Sequence, residues 1–171
     1  GKVKIFQMNI DGKQSIVYIY KRGDYFGYRP ILADEPHPVS AAALAPVNVT
    51  FIPRAFFQDL MKCPELINEL LLTLSKEFSV WINKMTTFSQ YGVKKRVALA
   101  LLIFQRIYQN DDKTKLASVS INREDFASFV GVAKETLVRM LRVFKDEDMI
   151  KKKGSKIQLL NPSGLLQMVK D

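Results

Sequence analysis

Residues 123–142 read REDFASFVGVAKETLVRMLR, and the reading of this stretch decides the fold. Its apolar residues fall at Phe126, Val130, Leu137 and Met140, with small Ala127 and Gly131 between them. That spacing predicts two short amphipathic helices crossing at a tight turn. Ala127 lets the second helix come close, Gly131 supplies a residue tolerant of the left-handed region, and Asn122 with Asp125 three residues on makes a cap-like start. The packing positions leave Lys134, Glu135, Val138, Arg139 and Arg142 on the outer face of the second helix. An arginine forks onto the guanine edge and a carboxylate accepts from cytosine, so this face has the chemistry to read bases in a major groove. An ordinary helical hairpin shares the apolar pattern, and the next residues separate the two readings.

Residues 149–153 and 156–160 predict two short strands around Gly154-Ser155. A basic hairpin directly after a candidate reading helix is a wing. Lys151, Lys152, Lys153 and Lys156 would lie along phosphates, with Arg123 and Arg142 as further backbone contacts, supplying charge without sequence choice. The formal net charge of +9 agrees with this placement. Residues 1–90 hold 10 Lys/Arg against 8 Asp/Glu, or +2, while residues 91–171 hold 16 against 9, or +7. A basic excess coincident with a reading helix favours nucleic acid over a membrane surface.

At 171 residues, 47% hydrophobic and 25% charged, the chain is long enough for one or two globular domains with real cores. No apolar run approaches the roughly 20 residues that span a bilayer, and the start lacks the apolar core of a signal peptide, so a cytoplasmic protein without membrane contact is expected. One cysteine, Cys63, and one histidine, His37, cannot build a structural zinc site, and a single thiolate excludes a four-cysteine iron-sulfur cluster; no metal site is expected. Cys63 reads as an inert residue near a helix start. Asp24, Asp34, Glu35 and His37 cluster in Pro-rich loops without a second histidine, a nucleophile elbow or a phosphate loop, so no enzyme is expected.

Upstream, residues 3–8 and 14–20 flank Asp11-Gly12, a hairpin signal, and a turn follows at residues 22–27, RGDYFG. Residues 39–45 and 47–52 predict two more strands, with prolines punctuating the loops, and residues 56–61 a short helix. Residues 66–91 hold no Gly or Pro, and Ile67, Leu71, Leu74, Phe78, Trp81, Met85 and Phe88 are spaced 4, 3, 4, 3, 4, 3. This heptad seam predicts a dimerisation helix of roughly 39 Å at about 1.5 Å per residue. Leu66, Leu70, Val80 and Ile82 lie off the seam and predict a second apolar side that docks on the β segment. Gly92 is a candidate hinge before a helix over residues 93–108, whose first turn carries Lys94, Lys95 and Arg96 against the helix dipole. A polar loop at residues 110–115 precedes the helix-turn-helix, and a brief helix from Leu165 ends the chain.

With these parts in one order, the chain resembles the cyclic-AMP receptor protein and fumarate-nitrate regulator (CRP/FNR) family of bacterial transcription factors. The resemblance covers essentially the whole chain. Its most specific segments are RGDYFG at 22–27 and VGVAKETLVR at 130–139, the latter similar to the family's V-G-x-S-R-E-T-V-x-R. It implies an α+β chain: a partial β-roll (jelly roll) of the cyclic-nucleotide-binding type over 1–63, a long dimerisation helix over 64–91, and a C-terminal winged helix-turn-helix over 92–171. The chain would begin inside the β-roll, as a piece of a longer protein. Glu135 and Arg139 match the family's base readers, Lys134 stands where many members have an arginine, and Ala133 replaces the usual serine cap. The implied partners are double-stranded DNA, read at a roughly palindromic site by a homodimer, and RNA polymerase, touched by residues 110–115. A ligand-responsive protein-interaction module with a degenerate helix-turn-helix is the alternative reading.

The effector pocket implied by the resemblance comprises Gly27, Tyr28, Arg29, Val39, Ser40, Trp81 and Ile82. Tyr28 stands where cyclic-AMP-binding members hold the ribose with a glutamate, and Val39-Ser40 where an Arg-Ser pair holds the cyclic phosphate. Trp81 and Ile82 replace the Thr and Ser that meet adenine. These departures argue against cyclic AMP bound in the family manner and leave the effector unknown. His37, between Pro36 and Pro38, reads as a solvated loop residue rather than an axial haem ligand.

Overall fold

The computed structural model describes residues 1–109 and 117–170. The expected polar loop and polymerase contact at residues 110–115 lies outside the described residues. Strands β1 (Val3–Met8) and β2 (Gln14–Tyr20) form the antiparallel hairpin, with Gly12 in the left-handed region at φ +75°. The Asn9 side chain accepts from the Lys13 N–H at 2.8 Å and closes the turn. Strand β3 (Ser40–Ala43) pairs with the other edge of β1, giving the order β2-β1-β3. Phe6, Ile16 and Ile19 are buried on this sheet.

Residues 47–52 do not form the expected strand. Pro46 and Pro53 bracket the segment and remove a donor at each end, and Val49 and Phe51 point into solvent. Two short helices were not both expected: α1 (Arg29–Ala33), with Pro30 in its first turn, and α2 (Arg54–Leu60), which covers Phe57. Proline is tolerated at that first position because the N–H it lacks has no helical partner there.

Helix α3 (Pro64–Gln90) starts at Cys63 and runs for 27 residues. Its inward side carries Leu66, Leu70 and Leu74 against Tyr28 and Phe57, then buried Glu77. Lys84 and Phe88 follow on the same side and reach Phe129. The expected seam is therefore corrected at two positions, since Leu74 and Phe88 pack within the chain. Val80 and Ile82, expected inward, are exposed. A straight helix drifts about 20° per heptad against a strict seven-residue repeat, so a seam read at 3.5 spacing turns from the outer face towards the inward one along three heptads, and Phe88 at its end packs inside.

Helix α4 (Val93–Tyr108) begins after Gly92, whose φ of −61° any residue can adopt. The remaining elements are β4 (Ser118–Ser120), α5 (Arg123–Val130), α6 (Lys134–Asp146), β5 (Ile150–Lys153), β6 (Lys156–Leu159) and α7 (Pro162–Lys170). The sheet order is β4-β6-β5, and β4 was not legible in the sequence. Val97, Leu101, Phe104, Phe126, Val130, Leu137, Leu141, Phe144 and Ile157 are essentially inaccessible to solvent. The same hydrophobic cluster takes in Phe6, Ile16 and Ile19, so packing runs unbroken from the β1–β2 hairpin into the winged helix. Among the described residues no helix is long and apolar enough to cross a membrane.

Candidate nucleic-acid interface

The two crossing helices form as the local chemistry dictates. Asn122 accepts from the Asp125 N–H at 2.7 Å, and its own amide donates to Asp125 Oδ2 at 2.7 Å, a reciprocal cap on α5. Gly131 takes φ +72° and donates to the Ala127 carbonyl at 2.9 Å, ending α5. Helix α6 then begins at Ala133 without a side-chain cap, which leaves its first N–H groups open. Leu137, Leu141 and Phe144 turn inward.

Lys134, Glu135, Val138, Arg139 and Arg142 line one shallow, open groove on the outer face of α6. All five are exposed. They differ in what holds them. Lys134 is ion-paired with Glu124 on α5, and that hydrogen bond raises the Lys134 pKa and lowers that of Glu124. Arg142 lies 3.9 Å from Asp146, a loose pair one turn along. Arg139 and Glu135 form no ion pair among the described residues, so their charges need no exchange of partner to meet another molecule.

The wing is fastened at its tip by Arg123, whose Nη2 donates to the Gly154 carbonyl at 3.0 Å. Arg123 Nη1 is buried without a partner among the described residues, and burial lowers the guanidinium pKa. Arg123 is thus turned inward onto the wing, a restriction that its sequence position did not reveal. Lys152 is half-buried, and burial, then the charges of Arg123 and Lys145, lower its pKa. Crowded cations of this kind create a positive potential suited to an anionic strand. Lys151, Lys153 and Lys156 project freely. At the start of α4, Lys94 pairs with Glu147 at 2.7 Å and Lys95 lies 5.1 Å over the Tyr91 ring, so local partners offset their clash with the dipole.

The expected effector residues do not come together within one chain. Tyr28 is buried, Arg29 and Ser40 are exposed, Val39 is half-buried, and Gly27 sits at φ +83° in the turn above. Trp81 and Ile82 face outward, because α3 presents Glu77 and Lys84 to the interior at their level. Glu77 is the residue that sequence reasoning missed. Its carboxyl is pushed up by burial and drawn back by a hydrogen bond from Tyr20 and the charge of Arg29. Burial and then Glu77 push Tyr28 up to about 12, and Tyr20 is raised further by the same causes. Glu77 Oε1 and Tyr28 Oη have no hydrogen-bond partner among the described residues. Spacing seven residues beyond inward Leu70 is the one signal that places Glu77 inside. Among the described residues no group of three or more His, Cys, Asp or Glu side chains is placed to hold a metal, and Cys63 Sγ donates to Glu65 at 3.0 Å.

A reciprocally capped helix pair with an open polar outer face and a basic hairpin wing define a winged helix-turn-helix DNA-binding protein. Residues 1–62 match the family described as the cyclic nucleotide-binding domain, and residues 95–168 match the Crp-like helix-turn-helix domain. The fumarate and nitrate reduction regulatory protein of Vibrio cholerae is 26% identical over 170 residues, covering 98% of this chain and 68% of that protein. The transcriptional activator protein Anr of Pseudomonas protegens is 25% identical over 164 residues, covering 95% and 67%. The structure of FixK2 from Bradyrhizobium japonicum superposes with a TM-score of 0.81 at 19% identity, covering 98% of this chain and 82% of that one. The chain belongs to the CRP/FNR family and is a DNA-binding transcription regulator of that type.

Proposed function

We propose that the protein binds a roughly palindromic DNA site as a homodimer. Lys134, Glu135, Val138 and Arg139 read base edges, and Arg142, Lys151, Lys152, Lys153 and Lys156 neutralise phosphates. Arg123 serves chiefly to hold the wing in place. The observation that carries this reading is the exposed file on α6, where Glu135 and Arg139 form no ion pair among the described residues and stand beside a basic wing. Leu71, Phe78, Trp81 and Met85 supply the dimer face, since all four are exposed on one long helix, with the Phe78 and Trp81 rings stacked at 6.4 Å. A contiguous apolar face of this kind marks an interaction surface. Two-fold symmetry through α3 pairs the two reading helices about one DNA turn apart.

In this reading residues 1–63 sense, 64–91 dimerise and 92–171 bind DNA, with Gly92 as the hinge and residues 110–115 meeting RNA polymerase. Cyclic AMP is disfavoured as the effector, because Tyr28 and Val39 replace the family's ribose and phosphate ligands and the Glu77 carboxyl lies beside Tyr28. An acid there repels a cyclic phosphate, and the charge of Arg29 already acts on that carboxyl instead of standing free for an anion. Arg139→Glu abolishes selective binding while the fold is retained; selective binding that survives it overturns the assignment. Trp81→Glu shifts sedimentation from dimer to monomer, and an unchanged sedimentation profile removes α3 as the dimer face.

A further inference from the structure

The winged helix is fastened to the β1–β2 hairpin by polar contacts that base reading does not use. Strand β2 is an edge strand, so its outward backbone groups lack a strand partner. Ser128 on α5 takes up two of them: its Oγ donates to the Gln14 carbonyl at 2.7 Å and accepts from the Ile16 N–H at 3.2 Å. Lys84 on α3 takes a third, donating to the Ile16 carbonyl at 2.5 Å while its ammonium lies 4.0 Å over the Phe129 ring of α5. Beside them Lys4 of β1 reaches across to α5. Its Nζ lies 2.5 Å from Asp125 Oδ1 and 2.7 Å from Gln14 Oε1, and the side chains of Lys4 and Asp125 are only 11% and 12% exposed. The other oxygen of Asp125 is occupied by Asn122, so the cap that starts α5 and the bridge to the hairpin share one carboxylate.

We propose that Lys4, Ser128 and Asp125, with Lys84, are positioning residues for DNA binding: they fix α5, and through it the reading helix α6, to the hairpin and to α3. A buried ion pair adds little net stability but penalises every arrangement that leaves one charge unpaired. An edge strand whose free backbone groups are filled by side chains from two different helices has the same property, since sliding α5 orphans the two groups that Ser128 holds while Lys84 of α3 keeps the third. The hairpin is therefore part of the DNA-reading apparatus. Movement of the hairpin relative to α3 changes the orientation of α6 without touching its reading face. This account rests on the paired reading helices proposed above, because orientation relative to α3 matters only when two readers share one axis.

The test uses the full chain with Lys4→Met and, separately, Ser128→Ala, neither of which lies on the reading face or the wing. Hydrogen exchange at the Ile16 amide reports the junction directly. Binding is then compared on a symmetric duplex obtained by selection and on a duplex holding one half-site. Both variants speed exchange at Ile16 and weaken binding to the symmetric duplex by about 5- to 150-fold, the usual range of coupling between sites, with half-site binding unchanged. Unchanged affinity for the symmetric duplex, or an equal loss on the half-site, overturns the proposal. If Lys4→Met fails to fold, the milder Ser128→Ala decides alone. Wild-type protein that does not prefer the symmetric duplex refutes paired reading, while the exchange data still report whether the junction is cooperative.

Discussion

Lys84→Met yields a pH signature that follows from the surroundings of one ammonium group. Lys84 projects from α3 into the joint between β2 and α5, where it meets a carbonyl and the Phe129 and Phe88 rings rather than a carboxylate. Burial pulls its pKa from 10.5 down to about 8. Below that value the folded protein carries an ammonium that the unfolded chain holds more cheaply in water. Between about 8 and 10.5 the unfolded chain binds more protons than the folded one, so this group makes stability rise with pH. The full change is at most about 3 kcal/mol, from 1.36 kcal/mol per pH unit. Methionine keeps an unbranched stem over Phe129 and deletes the titration, but it orphans the Ile16 carbonyl at a cost of about 1–3 kcal/mol. The variant should therefore equal wild type or exceed it by up to about 2 kcal/mol at neutral pH, and fall below it by about 1–3 kcal/mol at high pH. Urea unfolding at intervals from pH 7 to about 10.5 measures the difference, and ionisation of Tyr28 and Tyr108, both pushed up to about 12, is common to both chains and cancels. A wild-type advantage that stays flat across the range refutes the reasoning.

Arg139→Ala should cost about 1–3 kcal/mol and relax sequence preference at one position of each half-site, whereas Lys151→Ala should weaken all duplexes alike and lower the salt slope by about 1; titrations at several salt concentrations separate the two. Gly131→Ala meets no close neighbour, since its Cβ would lie 3.9 Å from Arg96 Nη1, so its cost is the left-handed backbone at φ +72°. About 1–2 kcal/mol of destabilisation is expected in thermal unfolding, and an undiminished Tm refutes it. Leu141→Ala empties a fully buried position under the reading helix and should cost about 2–5 kcal/mol by urea unfolding.

The helix-turn-helix was legible because its signals are local: Asn122 and Asp125 three residues apart, Gly131 at the turn, and apolar residues at helical spacing all act within 20 residues of one another. The same holds for the wing around Gly154-Ser155 and for the length of α3. The side of α3 that faces inward was legible at Leu66 and Leu70 but not beyond them, because a strict heptad and a straight helix diverge over 27 residues and differ on the faces of Leu74 and Phe88. Strand β4 is three residues long, too short for alternation to register, and residues 47–52 have strand-like composition but prolines at both ends. Glu77 among the tyrosines and the Lys4–Asp125 bridge escaped altogether. The bridge joins residues 121 apart, and nothing near either one in sequence marks its partner.

The central claim, that α6 reads a two-fold symmetric site without cyclic AMP, is tested most directly by selecting bound sequences from random duplex DNA at a stated salt concentration, with and without the nucleotide. The account predicts one symmetric site, with half-sites about one helical turn apart, enriched equally under both conditions. Enrichment that appears only with cyclic AMP contradicts the reading of the Tyr28 and Glu77 site, and enrichment of an asymmetric single half-site contradicts the dimer.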